Sequence, residues 1–220
     1  MAFLSEKQVK YLEEHIGIAK HLAEQGNAAG QYEYGLDFFY GLGIRRNRKI
    51  AMEWIEKAVA QGLPAAQWFL SYCYREGKGY RQDDEQAFIW LKTAAANGYA
   101  MAQVELGIHY EDGDNIEQDY DKAVFWYKKA AEHDGANGRD GLFHVACCML
   151  NGRGMEKNEE QAVAIFKQLA RQKHTHALWM LGQCYLKGQG IKQNKQKADE
   201  IICSAIHYLT VHEMDYYLDD

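Results

Sequence analysis

The chain has 220 residues, a formal net charge of −6, and one proline beside 20 glycines. Its apolar fraction of 47% and charged fraction of 25% are typical of a folded globular protein, which excludes a disordered or collagen-like chain. The acidic balance disfavours a nucleic-acid partner, because nucleic-acid-binding proteins normally have a basic face. No segment approaches the run of about 18 apolar residues that crosses a membrane. We therefore expect neither nucleic acid nor membrane as a partner.

The N-terminal residues and the cysteines indicate a compartment. Residues 1–7 lack the basic segment and apolar run of a secretory signal peptide. The five cysteines are odd in number and unevenly spaced, whereas a secreted disulfide framework is normally even and denser. We therefore expect reduced thiols and a cytoplasmic protein.

The first predicted element is a helix over residues 16–26. It ends at Gly26, which lies 36 residues before Gly62, a glycine that ends a later helix. The same interval recurs along the rest of the chain. We therefore predict that residues 1–27 form a capping half-repeat, because the terminal units of a repeat array cover its open ends.

Five copies of one unit follow over residues 28–208. Gly-x-Gly pairs begin at Gly41, Gly77, Gly152 and Gly188, and a degenerate copy begins at Gly113. The intervals are 36, 36, 39 and 36 residues. An alanine and a large apolar residue keep the same intervals, at Ala51/Trp54, Ala87/Trp90, Ala123/Trp126, Ala162/Ile165 and Ala198/Ile201. Three registers that agree over five copies predict a tandem repeat.

Each copy contains two predicted helices. The first helix presents small and large residues on one face and ends at the Gly-x-Gly pair, because glycine tolerates the left-handed backbone of a helix C-terminus. The second helix begins at a good N-cap residue: Asn47, Asp83, Asp119, Asn158 or Asn194. Three extra residues fall between the third and fourth copies, where we predict a surface loop over residues 133–140.

The unit resembles the Sel1-like repeat (SLR) family, a relative of the tetratricopeptide repeats. The third copy matches the family signature best and departs at Asn115, where the family has glycine, while Ile165 and Ile201 replace the family's tryptophan. The resemblance implies an all-α, right-handed α/α superhelical solenoid of about five helix-turn-helix repeats. We predict a single domain over 1–220, with an acidic C-terminal tail at 209–220. The tail either caps the last pair or docks elsewhere.

By analogy with tetratricopeptide repeats, the first helices line a concave groove. The predicted partner-binding residues are Tyr32, Leu36, Phe39, Trp68, Tyr72, Arg75, Val104, Ile108, Glu111, Phe143, Leu150, Trp179 and Gln183, with Cys147 and Leu186 in the same row. Aromatic side chains dominate the energetics of interfaces, so the row favours a partner groove. The alternative is packing between neighbouring first helices. Trp68 and Trp179 occupy a position that varies between copies, which favours a role in binding a partner.

Several features that resemble chemical sites are better explained by structure. Cys73, His109, Cys148 and Cys184 occupy one repeat position, but packed helices lie roughly 9–10 Å apart, whereas zinc ligands lie about 2.0–2.3 Å from the ion. We expect no metal, no cofactor and no catalytic residue, because no enzyme motif is present and the Gly-x-Gly pairs follow helices, not strands. Basic clusters at 45–49 and 192–197 either face solvent or contact an acidic partner.

The sequence therefore predicts a non-catalytic protein–protein interaction module, an adaptor or scaffold that binds a protein or peptide. The SLR resemblance implies a similar role in complex assembly. A narrower alternative is an immunity protein that neutralises a secreted bacterial toxin, since the negative charge would speed capture of a basic toxin. An enzyme is the third hypothesis and has no supporting motif. The oligomeric state is not predicted.

Overall fold

A computed structural model describes the backbone of residues 6–114 and 116–218 and the side chains of 10–114 and 116–208. Within these residues the regular structure consists of eleven helices, without strands. They are α1 (Glu6–Glu24), α2 (Ala28–Tyr40), α3 (Arg48–Ala60), α4 (Pro64–Arg75), α5 (Asp84–Ala96), α6 (Ala100–Asp112), α7 (Tyr120–Ala131), α8 (Gly135–Asn151), α9 (Glu159–Arg171), α10 (Thr175–Lys187) and α11 (Lys195–Leu218). They pack in adjacent pairs as a solenoid, which confirms the predicted fold class.

The chain divides into two compact units, Met1–Ala102 and Gln103–Asp220. In the first unit, α2 packs on α1 and α3, and α4 packs on α3 and α5. Its core centres on Phe39, Ile55 and Phe69. In the second unit, α7 to α11 pack in chain order around Tyr127 and Phe166.

The second helices begin where the sequence predicts. In all five copies the side-chain oxygen of the Asn or Asp cap accepts a hydrogen bond from the backbone N–H three residues later, at distances of 2.9–3.2 Å. These bonds satisfy N–H groups that the helix itself leaves without a partner. First helices end at the predicted glycines: Gly41, Gly152 and Gly188 have φ of 78°, 70° and 70°, in the left-handed region.

The predicted loop at 133–140 is wrong. Helix α8 begins at Gly135 and has 17 residues, whereas α2, α6 and α10 have 13. The insertion thus lengthens a helix at its N-terminus. Close approach makes this possible, because a Cβ at Gly138 would lie 1.8 Å from the carbonyl oxygen of His133. Only glycine fits this position without displacing the backbone.

The helices at both ends of the chain are longer than the sequence predicts. Helix α1 begins at Glu6, ten residues before the predicted start, and buries Ala19 and Ala23 against Tyr34 of α2. The backbone of α11 continues as a helix to Leu218. The predicted docking of the acidic tail concerns side chains that lie outside the described residues.

Candidate partner-binding surfaces

The first helices of the first unit present an aromatic surface. Phe69 is buried at its centre, with the rings of Tyr32, Tyr40 and Tyr72 at centroid distances of 6.0, 6.4 and 5.8 Å. Tyr32 and Tyr72 are half-buried, and Tyr40 is 53% exposed. Each tyrosine therefore rests on the core through one part of its ring and offers the remainder to solvent. We call Tyr32, Tyr40, Phe69 and Tyr72 the aromatic surface.

Not every predicted groove residue of this unit is accessible. Phe39 lies in the core, where it packs edge-on against Phe69 at 4.9 Å, so it offers no surface to a partner. Leu36 is half-buried against the same core. Trp68 is half-buried and packs against Tyr99 at 5.7 Å, so packing between elements of the unit accounts for much of its surface. Arg75 is exposed.

Tyr40 was not among the residues predicted from the sequence, although the sequence contains a signal for it. Tyr40 immediately precedes the first loop glycine, and the equivalent residues of the other copies are Glu76, Asp112, Asn151 and Lys187. Leu42, 46% exposed, likewise stands where the other copies have Lys78, Asp114, Arg153 and Gln189. Two exposed apolar residues close together, at positions that are polar in the other copies, favour a contact surface.

The Lys78 cation contacts the aromatic surface, and two more cations contact Phe39, which packs against it. The Lys78 ammonium lies 4.5 Å from the centroid of the Tyr72 ring and donates a hydrogen bond to the Tyr72 hydroxyl. The Arg48 guanidinium lies 5.7 Å from the Phe39 ring, and Arg46 Nε donates to the Phe39 carbonyl at 3.0 Å. Such contacts between cations and aromatic faces are attractive and hold the charged ends near the rings.

Predicted residues of the second unit differ in exposure. Trp179 is 47% exposed and Ile108 is also exposed, whereas Val104, Phe143 and Gln183 are half-buried. Leu150 is buried in the core of the unit and is not available to a partner. Trp179 is therefore the predicted aromatic anchor that this unit exposes most.

Glu111 belongs to an internal network. Tyr127 is fully buried, and its hydroxyl donates a hydrogen bond of 2.8 Å to Glu111 Oε2. Arg153, in the loop after α8, lies 3.2 Å from Glu111 Oε1. Burial and the Glu111 carboxylate raise the pKa of Tyr127, so the phenol stays protonated and keeps donating. Glu111 thereby connects α6 to α7 and to the loop after α8.

The histidines near α8 have structural partners. His174 caps α10, because its Nδ1 accepts from the Ala177 N–H at 3.2 Å. Its Nε2 must then carry the proton, which it donates to Asp140 at 2.9 Å. His144 stacks on Tyr127 at 4.5 Å, and burial lowers its pKa, which keeps the ring neutral at pH 7.

The five cysteines are free thiols that differ in exposure. Cys73, Cys148 and Cys184 are buried, Cys147 is half-buried and Cys203 is exposed. Burial raises the pKa of Cys73, Cys147 and Cys148 to about 12 and that of Cys184 to about 11. Within the part of the chain that the structure describes, no three His, Cys, Asp or Glu side chains are arranged to hold a metal ion.

The Sel1 repeat family matches the chain at residues 28–63, 64–99, 100–135, 139–174 and 175–198. The break at 136–138 coincides with the insertion in α8. No curated protein sequence matches the chain. No helix among the described residues is long and apolar enough to cross a membrane.

Three solved structures are similar. A protective antigen of uropathogenic Escherichia coli with an SLR fold is 28% identical at a TM-score of 0.76; the match covers 88% of this chain and 41% of the antigen. A Sel1 repeat protein from Oxalobacter formigenes is 28% identical at a TM-score of 0.76, with 91% and 81% of the chains covered. A Sel1 repeat protein from Klebsiella pneumoniae is 20% identical at a TM-score of 0.54, with 91% and 98% covered, and shares the fold. This chain spans less than half the length of the antigen. The five family matches and the helix pairs together identify the chain as a member of the Sel1 repeat family.

Proposed function

We propose that the chain is a non-catalytic adaptor or scaffold that binds a protein or peptide partner through its first helices. Sel1 repeat proteins generally mediate protein–protein interaction. The observation that carries the proposal for this chain is the aromatic surface on α2 and α4. Its tyrosines are anchored on a buried ring and exposed at their outer edges, as interface anchors commonly are.

We propose a smaller set of contact residues, which side-chain exposure supports. Tyr32, Tyr72 and the exposed Tyr40 are the anchors in the first unit, and Trp179 is the anchor in the second. Phe39 and Leu150 are buried, and Glu111 is held by Tyr127 and Arg153, so we leave all three out of the proposed contact set.

Affinity capture from native lysate tests the proposal when matched variants are compared. The test variants are Tyr72→Ala and Trp179→Ala, and the control is Phe125→Ala, an exposed aromatic residue on the second helix α7. A partner should be captured by wild type and by the control and lost with a test variant that retains its melting temperature. Equal capture by all four proteins would refute binding through the first helices.

A narrower form of the proposal is an immunity protein that neutralises a secreted toxin. The net charge of −6 supports it, because an acidic protein attracts a basic partner over a distance of about one Debye length. Co-expression with a toxin encoded beside its gene tests this form. Rescue of growth supports it, whereas toxicity with and without the protein contradicts it.

A cytoplasmic location accompanies the proposal. Five free thiols support a reducing compartment, where cysteines remain unpaired. Fractionation of the source cells, with thiol-trapping reagents added at lysis, tests both points. Recovery of disulfide-linked protein outside the cytoplasm would contradict them.

A further inference from the structure

We propose that the C-terminal ends of α2 and α4 bind an acidic peptide segment of a partner protein, and that the segment also carries an aromatic or large aliphatic side chain. The inference rests on the proposed function, binding through the first helices, and adds the chemistry of the partner. The site consists of Tyr40, Leu42, Arg46, Arg48, Tyr72 and Lys78.

The apolar part of the site is specific to the first repeat. Tyr40 and Leu42 are about half exposed, and the four other copies have polar or charged residues at both positions. Exposed apolar side chains so close together in sequence are costly in water unless something covers them. A partner's aromatic or aliphatic side chain packed on Tyr40 and Leu42 would remove this surface from water.

The polar part of the site is cationic. Arg46 and Arg48 contact Phe39 through its carbonyl and its ring, and Lys78 lies beside Tyr72 and Tyr40. Glu76 lies near Lys78 and pairs with Arg75 at 3.4 Å, and Glu53 and Glu56 line a pocket together with Arg48. An excess of positive charge here is notable on a chain whose net charge is −6. The site thus attracts carboxylates that the rest of the chain repels.

The cations are partly ordered before binding. Lys78 is held by the Tyr72 hydroxyl and ring, and Arg46 by the Phe39 carbonyl. Holding a long side chain in place lowers the entropy cost that binding would otherwise incur. Each cation still has further N–H groups that can donate to a carboxylate.

A peptide fits this site better than a nucleic acid does. The cationic group covers the ends of two helices, whereas a nucleic-acid strand would extend past it along a chain whose net charge is −6. Lys78 lies near Tyr40, and the side chain of Arg46 lies beside Gly41, between Tyr40 and Leu42 in sequence. A peptide with carboxylates on both sides of one apolar side chain could therefore pair with these cations while it packs on Tyr40 and Leu42.

Fluorescence anisotropy with a labelled, Glu-rich peptide that contains one Tyr tests the proposal. The comparison peptides replace every Glu by Lys, or the Tyr by Ser. The test protein is Arg48→Glu/Lys78→Glu, and the control is Lys192→Glu/Lys195→Glu, which makes the same change of net charge in the exposed basic cluster of the last repeat. Lys78→Met serves as a milder variant, and melting curves establish that each protein is folded.

We expect wild type and control to bind the Glu/Tyr peptide, with weaker binding at higher ionic strength. The charge-reversed double variant should bind it about tenfold more weakly, and Lys78→Met should fall between them. The Lys peptide should not bind, and the Ser peptide should bind more weakly than the Tyr peptide.

Three results would overturn the proposal: equal binding by the double variant and the control, tighter binding of a single-stranded RNA of the same charge than of the peptide, or occupation of the site by residues 213–220 of a second copy in a self-associating protein. Any of these can occur while Tyr72→Ala and Trp179→Ala still abolish capture of a partner. Failure of the acidic-peptide proposal is therefore distinguishable from failure of the proposed function.

Discussion

Phe39 and Tyr40 are neighbours in sequence, yet one is buried and the other is more than half exposed. Successive helical residues point about 100° apart, so one step along α2 separates the core from the surface. The repeat position of Phe39 holds the exposed Arg75 in the second copy and the buried Leu150 in the fourth. Spacing identified the position, but the residue type determines whether its side chain faces the core.

Thiol reactivity should follow burial. The thiolate is the nucleophile, and Cys73, Cys147, Cys148 and Cys184 have pKa values of about 11–12, so they stay protonated at pH 8. Cys203 alone among the five is exposed. A chromogenic disulfide reagent should therefore react rapidly with one thiol per folded chain, and Cys203→Ser should abolish that phase. Rapid reaction of two or more thiols in folded protein would contradict the described packing.

Removal of the Tyr127 hydroxyl should destabilise the second unit. Tyr127→Phe deletes a hydrogen bond to the Glu111 carboxylate and should lower the free energy of unfolding by about 1–3 kcal/mol, measured by urea denaturation. Tyr11→Phe, at an exposed position on α1, should have no measurable effect. A stability loss of equal size in both variants would argue against the Tyr127–Glu111 bond.

The stability of Tyr127→Phe should also differ from that of wild type in its dependence on alkaline pH. The folded-state pKa of Tyr127 is raised above the unfolded value of about 10, so its contribution is complete below pH 10 and is lost as pH rises through the folded pKa. The unfolding free energy of Tyr127→Phe should therefore fall less steeply above pH 10 than that of wild type. A wild-type slope in Tyr127→Phe would be the contradictory result.

Substitution of alanine at two helical glycines should change the stability of the protein in opposite directions. Gly138→Ala places a Cβ against the His133 carbonyl and should cost about 1–3 kcal/mol of stability. Gly17→Ala, inside α1 with no atom within 4 Å of its Cβ position, should stabilise by about 0.5–1 kcal/mol. Thermal melting of both variants checks this. Two changes of the same sign would show that the start of α8 or the exposure of α1 is wrongly described.

The helices were predictable where local rules decide them. The Asn and Asp caps and the loop glycines act within one turn, so their spacing alone located the starts of the five second helices and the ends of three first helices. The start of α8 was not predictable, because Gly135 and Gly138 indicate a loop by propensity, whereas the helix forms through the close approach of Gly138 to the His133 carbonyl after α7. The same distinction holds for the candidate site. Repeat spacing predicts which positions lie on the first helices, whereas the burial of Phe39 and the exposure of Tyr40 depend on packing.

At the scale of the whole molecule, an acidic repeat protein has a cationic, aromatic surface on its first unit. Net charge describes the chain at long range, but Lys78, Arg46 and Arg48 determine what that surface attracts at contact. Repeat architecture permits such a surface, since one copy can carry exposed residues such as Tyr40 and Leu42 without altering the packing of the others.

A photo-crosslinking amino acid placed at position 40 or at position 125 tests partner binding by the first helices most directly. Tyr40 and Phe125 are both 53% exposed aromatic residues, the first on a first helix and the second on a second helix. Irradiation of living cells should yield a discrete crosslinked protein from position 40 and none from position 125. Crosslinks of equal yield from both positions, or from position 125 alone, would contradict recognition through the first helices.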